Sequence, residues 1–265
     1  MREKPMKLRV AIAQFCPKTD ISTIVSLAVK ENADVLVFPE MWSNGYPAIG
    51  SASKRAEWLA GSQNLDSEYL RSFSQLALEN GIAILTTFLE TGDPKPFNAA
   101  VLFDRYGENI LHQRKRFPCY FASSESGCEA GQSSKTCSLS TKSGEIVIGI
   151  MICMDREFPI VGTDLANKGV EDVLVPNSCD LVKDPIIGDV RTAGIRSRAF
   201  ENVFAMAVAN YPNPKNDGHS VIVDGFGKIL AQSDNKAELL VADIDIAQLR
   251  KTIREDAFRR TMGHH

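Results

Sequence analysis

Long apolar segments are missing from this sequence. No run among its 265 residues approaches the ~18 residues that a membrane-spanning helix needs. The N-terminal stretch carries charges but no apolar core of signal-peptide length. We therefore expect a cytoplasmic protein that has no membrane partner.

Closely spaced metal ligands and disulfide pairs are also scarce. The six cysteines include no Cys-x-x-Cys pair, and two of the four histidines are His264 and His265 at the C-terminus. Zinc sites need closely spaced ligands, and disulfide frameworks are typical of small secreted domains. We expect no disulfide framework, no metal and no other cofactor. The terminal Gly-His-His is either natural or a tag remnant and carries no functional prediction.

An excess of charge of one sign is the third absence. Thirty basic residues stand against 33 acidic ones, which gives a formal net charge of −3. Nucleic-acid binding is favoured by clustered positive charge, and this composition offers no such attraction. We expect no nucleic-acid partner.

Short apolar runs alternate along the chain with longer amphipathic segments. This alternation predicts one α/β domain over residues 1–265, with helices packed on sheet faces. Residues 112–136 are the least regular segment. The predicted helices cover residues 20–31, 66–81, 159–169 and 189–202. The predicted strands cover residues 7–15, 34–40, 82–90, 98–104, 144–153, 172–180, 203–211, 219–224, 228–233 and 238–245.

Ligands of α/β folds collect beyond the carboxyl ends of the strands, so the residues there are site candidates. Cys153 is the first of them, in the stretch IGIMICMDREFP, where an apolar strand gives way to charge. A cysteine there is often only a small core residue, but a residue at the exit of a buried strand can also be held rigidly as a nucleophile. A nucleophilic Cys153 needs a base or a positive charge nearby, because the thiolate is the reactive form.

Glu40 and Lys115 are candidates for that base and that charge. Glu40 ends the apolar stretch VLVFPE and is either a surface carboxylate or a general base whose pKa is raised by burial. Lys115 lies in the basic cluster HQRKRFP, which is either a solvated surface or the source of one buried ammonium that stabilises an oxyanion. The residue types alone leave both choices open.

Taken together, Glu40 in VFPEMW, Lys115 in QRKRF and Cys153 in GIMICMDREFP resemble the Glu–Lys–Cys triad of the nitrilase superfamily, the carbon–nitrogen hydrolases. Their order fits, and so do their separations of about 75 and 38 residues. The resemblance continues in SRAFENVFAMAVAN, GHSVIVDGFGKIL and ADID, so it covers nearly the whole chain.

The resemblance implies an α/β fold of four layers, an αββα sandwich, that pairs into a homodimer or a higher homo-oligomer. It also implies a thioester mechanism in which Cys153 attacks the carbon of a small amide, while Glu40 takes the thiol proton and later activates water. Lys115 and the backbone amide of Met154 would hold the oxyanion, and ammonia would be released. The family's second active-site glutamate corresponds to Glu125 in ESGCEAG, or to Glu129 if the spacing differs.

The residues after the nucleophile indicate the kind of substrate. The Cys-x-Asp form resembles amidases and carbamoyl-amide hydrolases rather than true nitrilases. Carbamoyl-amino-acid hydrolases grip the substrate carboxylate with two successive arginines, whereas this chain has Arg156 followed by Glu157. We hypothesise a neutral or amine-bearing amide or ureido substrate, with Glu157 or Asp180 near the amine. Glu157 is equally well a salt-bridging surface residue.

Other side chains near the strand ends complete the predicted site. Trp42 and Tyr46 follow Glu40 in MWSNGYPAIG and are expected to touch the substrate, and Asn177 is a further substrate-binding candidate. Three alternatives stay open: a nitrilase-fold scaffold or signalling protein with little turnover, a nitrile-hydrolysing member, and an unrelated α/β binding protein. The last would keep Cys153 buried and unreactive.

Overall fold

The computed structural model describes residues 6–184 and 186–256, and the terminal Gly-His-His lies outside them. The described chain forms two six-stranded sheets with helices on their outer faces. Its helices are α1 (Ile21–Lys30), α2 (Ala52–Ala60), α3 (Glu68–Asn80), α4 (Pro159–Asn167), α5 (Gly188–Asn202) and α6 (Ile246–Glu255). Its strands are β1 (Lys7–Gln14), β2 (Val35–Val37), β3 (Ala83–Glu90), β4 (Phe97–Phe103), β5 (Asn109–Arg114), β6 (Thr136–Thr141), β7 (Gly144–Ile150), β8 (Asp172–Pro176), β9 (Ala205–Ala209), β10 (Val221–Val223), β11 (Ile229–Gln232) and β12 (Glu238–Asp245).

The two sheets have matching topologies. The first has the strand order β12-β1-β2-β3-β4-β5, and the second has the order β11-β10-β9-β8-β7-β6. In each sheet three central strands are parallel (β1, β2 and β3 in one, β7, β8 and β9 in the other), and the flanking pairs are antiparallel. The parallel strands read as continuous apolar runs because both of their faces are covered.

Three buried clusters define the layers. One cluster joins the inner faces of the two sheets, where Val10 and Val37 of the first sheet share a core with Ile148 and Leu174 of the second. A second cluster packs α1 and α3 on the first sheet, and a third packs α4 and α5 on the second. The expected αββα sandwich is therefore confirmed.

Helix α3 illustrates how local chemistry sets an element's bounds. Ser67 accepts a hydrogen bond from the Leu70 amide and caps the N-terminus, so the helix begins two residues after the predicted start at residue 66. Gly81 ends the helix at φ +62°, a left-handed conformation that glycine adopts without strain.

Several predicted bounds shift where the strands leave the sheets. The strand expected over residues 34–40 ends at Val37, and the strand expected over residues 144–153 ends at Ile150.

Helices α2 and α6 and strands β5 and β6 were not predicted. Helix α2 buries only Trp58, so it carries little apolar periodicity, and β5 is mostly polar, with only Leu111 and Gln113 buried. The segment between β5 and β6 contains only a short 3₁₀ helix, as its irregular sequence indicates.

Candidate active site

Three segments from different strands meet where the two sheets join. Glu40 follows β2, Lys115 directly follows β5, and Cys153 follows β7. All three side chains are buried. The Glu40 amide donates to the Asn177 carbonyl oxygen across the sheets at 3.3 Å, and Tyr211 Oη donates to the Glu40 carbonyl oxygen at 2.8 Å. The fold therefore brings the predicted triad residues to one junction.

Lys115 is held between two buried carboxylates. Its Nζ lies 2.7 Å from Glu40 Oε1 and 2.9 Å from Glu125 Oε1. Asn98, on β4, donates from Nδ2 to Glu40 Oε1 and to Glu125 Oε1, at 2.8 Å each. One ammonium and one amide therefore fix the positions of both carboxylates. Asn98 was missed in the sequence, where it is only the first residue of the strand predicted over residues 98–104.

The structure separates the two candidates for the second glutamate. Glu125 begins a short 3₁₀ helix, is fully buried, and accepts a hydrogen bond from Tyr46 Oη at 3.2 Å. Glu129 is exposed and lines a different cavity, together with His112 and Arg114. The geometry therefore places Glu125, and not Glu129, beside Lys115.

Burial and charge shift the pKa values of this group in useful directions. Burial raises the pKa of Glu40 well above its usual range, and the charge of Cys153 raises it further. Burial alone would lower the pKa of Lys115, but the charges of Glu40, Cys153 and Glu125 outweigh it and raise that pKa. Lys115 therefore stays an ammonium, while Glu40 moves toward the range in which a carboxylate can accept and return a proton.

Cys153 lies on a sharply bent backbone. It is the first residue of a short 3₁₀ helix and has φ +47°, a conformation that costs a non-glycine residue about 1–3 kcal/mol. The Asp155 carboxylate accepts hydrogen bonds from the backbone amides of Ile152 (3.0 Å), Arg116 (3.0 Å) and Phe117 (2.8 Å). Asp155 thus ties the cysteine turn to the segment after Lys115. The Cys-x-Asp pattern was noticed in the sequence, but this role was not.

Two further thiols surround Cys153. Hydrogen bonds from Cys119 and Cys179, together with the positive charges of Lys115 and Arg156, lower the pKa of Cys153 well below its usual value although burial opposes this. Lys115 Nζ lies 3.4 Å from Cys119 Sγ, and Arg156 Nη1 lies 3.8 Å from Cys153 Sγ. The surroundings therefore favour the thiolate. Sequence reasoning missed Cys119, which follows Lys115 by four residues, and assigned no role to Cys179 among the candidates at the end of the strand predicted over residues 172–180.

Arg156 forms hydrogen bonds and an ion pair with neighbouring residues of the protein. Its Nη1 donates to the Cys153 carbonyl oxygen and to Asn177 Oδ1, at 2.7 Å each, and its Nη2 pairs with Glu157 Oε1 at 3.1 Å. Asn177 therefore positions Arg156 instead of lining the cavity, and Glu157 is neutralised by its neighbour. Asp180 lies outside the cavity lining, where its carbonyl oxygen accepts from Arg191. These positions do not support the amine-binding role predicted for Glu157 or Asp180.

A cavity of about 720 Å³ opens over Cys153, and its lining is mostly apolar. Tyr46 and Met154 are part of this lining. We refer to Glu40, Lys115, Glu125 and Cys153 as the floor. We refer to Ser178, Ile187, Val190, Arg191, Lys215 and Asn216 as the outer wall.

Trp42 lies away from the cavity. It is 4% exposed, makes an edge contact with Phe38, and stacks on Tyr211 with 5.9 Å between ring centroids. It supports the backbone around Glu40, so the expected contact between Trp42 and a substrate does not follow from its position.

Metal-ligand clusters and membrane-spanning helices are both absent from the described residues. Within residues 6–184 and 186–256, no three His, Cys, Asp or Glu side chains are grouped so as to hold a metal ion. In the same part of the chain, no helix has the length and apolar character needed to cross a membrane.

The family model for carbon-nitrogen hydrolases matches residues 9–254. The chain belongs to the carbon–nitrogen hydrolase family. Among curated relatives of this hydrolase, the 2-oxoglutaramate amidase of Paenarthrobacter nicotinovorans is 27% identical over 229 residues, which cover 83% of this chain and 74% of that protein.

Solved structures of other proteins share the fold. A carbon-nitrogen hydrolase from Helicobacter pylori G27 superposes with a TM-score of 0.82 at 20% identity, over 96% of this chain and 94% of that one. A variant of the amidase from Nesterenkonia sp. AN1 superposes with a TM-score of 0.72 at 24% identity, over 96% and 99% of the two chains. That amidase is described as showing the result of Michael addition of acrylamide at its active-site cysteine.

Proposed function

We propose that this carbon–nitrogen hydrolase cleaves small linear amides through a thioester on Cys153 and releases ammonia. One observation carries the proposal: a buried Glu40–Lys115–Glu125 group lies beside a thiol whose pKa is lowered, beneath an open cavity. Two similar proteins lend support. The first is named as a 2-oxoglutaramate amidase, and the second, the Nesterenkonia amidase, carries an active-site cysteine that reacts with acrylamide.

In the first half of the proposed reaction, the Cys153 sulfur forms a bond to the amide carbon. Glu40 holds the proton that the thiol has lost, and the carbonyl π-electrons move onto the oxygen. Lys115 and the backbone amide of Met154 stabilise that oxyanion. When the tetrahedral intermediate collapses, the C–N bond breaks and the nitrogen takes the proton from Glu40. Ammonia then leaves, and the acyl group stays on Cys153 as a thioester.

In the second half, water attacks the thioester carbon while Glu40 accepts a proton from it. The C–S bond then breaks, and the carboxylic acid is released with the Cys153 thiolate restored. Glu125 acts as a positioning residue because it holds Lys115 against the developing oxyanion. Tyr46 and Asn98 position Glu125 in turn.

N-carbamoyl compounds are the second substrate class, because the same attack on a carbonyl carbon would cleave a ureido C–N bond. No contact of the described residues favours them over simple amides. We also keep as predictions the single domain over residues 1–265, the homodimer and the cytoplasmic location. Sedimentation velocity and cell fractionation test the last two.

The test is ammonia release from aliphatic amides, monoamides of dicarboxylic acids, N-carbamoyl amines and acids, and nitriles. It uses the wild type, Cys153→Ala, and Cys16→Ala as a control for a cysteine outside the cavity. We expect turnover of amides by the wild type and by Cys16→Ala, and none by Cys153→Ala. Turnover of nitriles alone would replace the proposal with nitrile hydrolysis. No turnover, together with slow alkylation of Cys153 by iodoacetamide, would favour the scaffold.

A further inference from the structure

The ion pairs around the cavity are distributed unevenly between its two sides. On the floor, Glu40 and Glu125 are paired with Lys115, and at its edge Glu157 is paired with Arg156. The outer wall carries two more cations, Lys215 and Arg191. Within residues 6–184 and 186–256, neither of these two forms an ion pair with a carboxylate.

Lys215 is the more enclosed of the two. Its Nζ lies 3.7 Å from the centroid of the Tyr211 ring, and it packs against Gly45, where a Cβ would come within 3.4 Å of Nζ. Burial lowers the pKa of Lys215 to about 8, and the charges of Glu40 and Cys16 offset only part of this lowering. Lys215 and the loop that carries Tyr46 thus face the same cavity.

Arg191 approaches the wall from α5. One of its nitrogens, Nη1, donates to the Asp180 carbonyl oxygen, which is a neutral acceptor. The Asp184 carboxylate is held by the backbone amides of Ile186 and Ile187, and Arg191 acts on it through its charge alone. The Arg191 guanidinium therefore has further N–H donors that are available to a ligand.

Two neutral residues complete the polar part of the wall. Ser178 Oγ and Asn216 Oδ1 are hydrogen-bonded at 3.1 Å, which connects the segment after β8 to the loop that carries Lys215. With its oxygen used in this way, Asn216 retains its amide nitrogen as a donor. The wall thus combines cations and neutral donors, whereas its remaining side chains, Ile187 and Val190, are apolar.

We propose that Lys215, assisted by Arg191, binds a carboxylate of the substrate, so that the preferred substrates are amides that carry an anionic group away from the scissile bond. This inference rests on the proposed function. The floor receives the amide, the apolar lining contacts the connecting methylenes, and the outer wall receives the carboxylate. An amine at the same place would face two cations, so the predicted amine-bearing substrate is disfavoured.

The test compares three five-carbon amides that differ in their far end: 4-carboxybutanamide, pentanamide and 5-aminopentanamide. We expect kcat/KM to fall in that order for the wild type. Replacing Lys215→Met should reduce the ratio of kcat/KM for the anionic amide over the neutral amide by roughly 10- to 100-fold, mainly through KM, as expected when a hydrogen bond to a charged group is lost. Lys215→Glu should reverse the order of the anionic and cationic amides.

Lys183→Met is the matched control, since Lys183 is an exposed lysine outside the cavity lining. It should leave the ratio unchanged. An unchanged ratio in Lys215→Met and Lys215→Glu would overturn the proposal, and so would a wild type that does not distinguish the three amides.

A binding measurement separates this inference from the proposed function. Cys153→Ala and Cys153→Ala/Lys215→Met are titrated with 4-carboxybutanamide and with pentanamide in a calorimeter. Tighter binding of the anionic amide, lost in the double variant, supports the carboxylate site even if no amide is turned over. Equal binding of both amides refutes the site even if the wild type hydrolyses them.

Discussion

The floor and the outer wall of the cavity treat charge in opposite ways. On the floor, Glu40 and Lys115 are each 1% exposed and Glu125 is fully buried, and each of these three charges has an oppositely charged partner within 3 Å. On the wall, Lys215 and Arg191 are only partly buried, and no carboxylate of the described residues pairs with either. A deeply buried charge is costly without a partner, whereas a partly hydrated one is not.

This difference separates the reaction from the choice of substrate. The floor is fixed by its own ion pairs, so its chemistry is set before any ligand binds. The wall leaves its cations available, so a ligand can supply the missing charge. We infer that variants of the floor lower turnover of every substrate, and that variants of the wall change which substrate is preferred.

The largest expected effect comes from removing the floor nucleophile. Cys153→Ala should lower kcat by at least about 10⁴-fold, because the variant loses the thiol that the floor positions for attack. Cys16→Ala, measured in the same ammonia assay, should stay near wild type. More than one per cent residual turnover in Cys153→Ala would contradict the assignment.

The second prediction compares two glutamates four residues apart. Glu125→Gln removes one of the charges that hold Lys115 and should lower kcat by about 10²-fold or more for all amides alike. Glu129→Gln should leave kcat within about two-fold, since Glu129 lies in a different cavity. Steady-state kinetics on both variants measure kcat. Equal losses of kcat would contradict the assignment of Glu125 as the residue that positions Lys115.

A third prediction concerns a carboxyl group that is as buried as the floor but lacks its cation. Neither oxygen of the Asp172 side chain has a side-chain partner among the described residues, and burial, opposed only by the Val173 amide, raises the pKa of Asp172 from 3.8 to about 7. The folded protein therefore holds this proton more tightly than the unfolded chain does. The contribution of Asp172 to stability should fall as pH rises from about 4 to about 7.

Asp172→Asn removes this titration. The variant should gain about 1–3 kcal/mol over the wild type at pH 8, and the gain should shrink toward pH 5. Urea unfolding at both pH values measures it, with Asp66→Asn as an exposed control. A gain that does not depend on pH would show that Asp172 is not protonated in the folded state.

The smallest expected effect is on the reactivity of the nucleophile. Cys119 lowers the pKa of Cys153 through a hydrogen bond, so Cys119→Ala should move the midpoint of Cys153 alkylation to higher pH. Cys137→Ala, outside the cavity lining, should leave the midpoint unchanged. A shift to lower pH would mean that Cys119 does not stabilise the thiolate.

Sequence reasoning found the residues that end strands, because apolar runs and their charged ends are local features. Glu40 and Cys153 were identified in this way, and so was most of the strand–helix alternation. It did not find Asn98 or the burial of Lys115. A basic cluster has the same sequence whether its lysine is solvated or enclosed by two carboxylates.

The sequence by itself therefore determined the strand–helix alternation, the order of the triad residues and the bend at Cys153, whereas the αββα layers were expected from the family resemblance. The alternation and the bend depend on hydrophobic periodicity and on residue types that are close along the chain. Only the tertiary structure decided that Glu125 and not Glu129 meets Lys115, that Arg156 is bound by Asn177 and Glu157, and that no carboxylate of the described residues pairs with Lys215 or Arg191. The physical reason is that pairing and burial are set by side chains that are distant in sequence and meet only when the two sheets pack together.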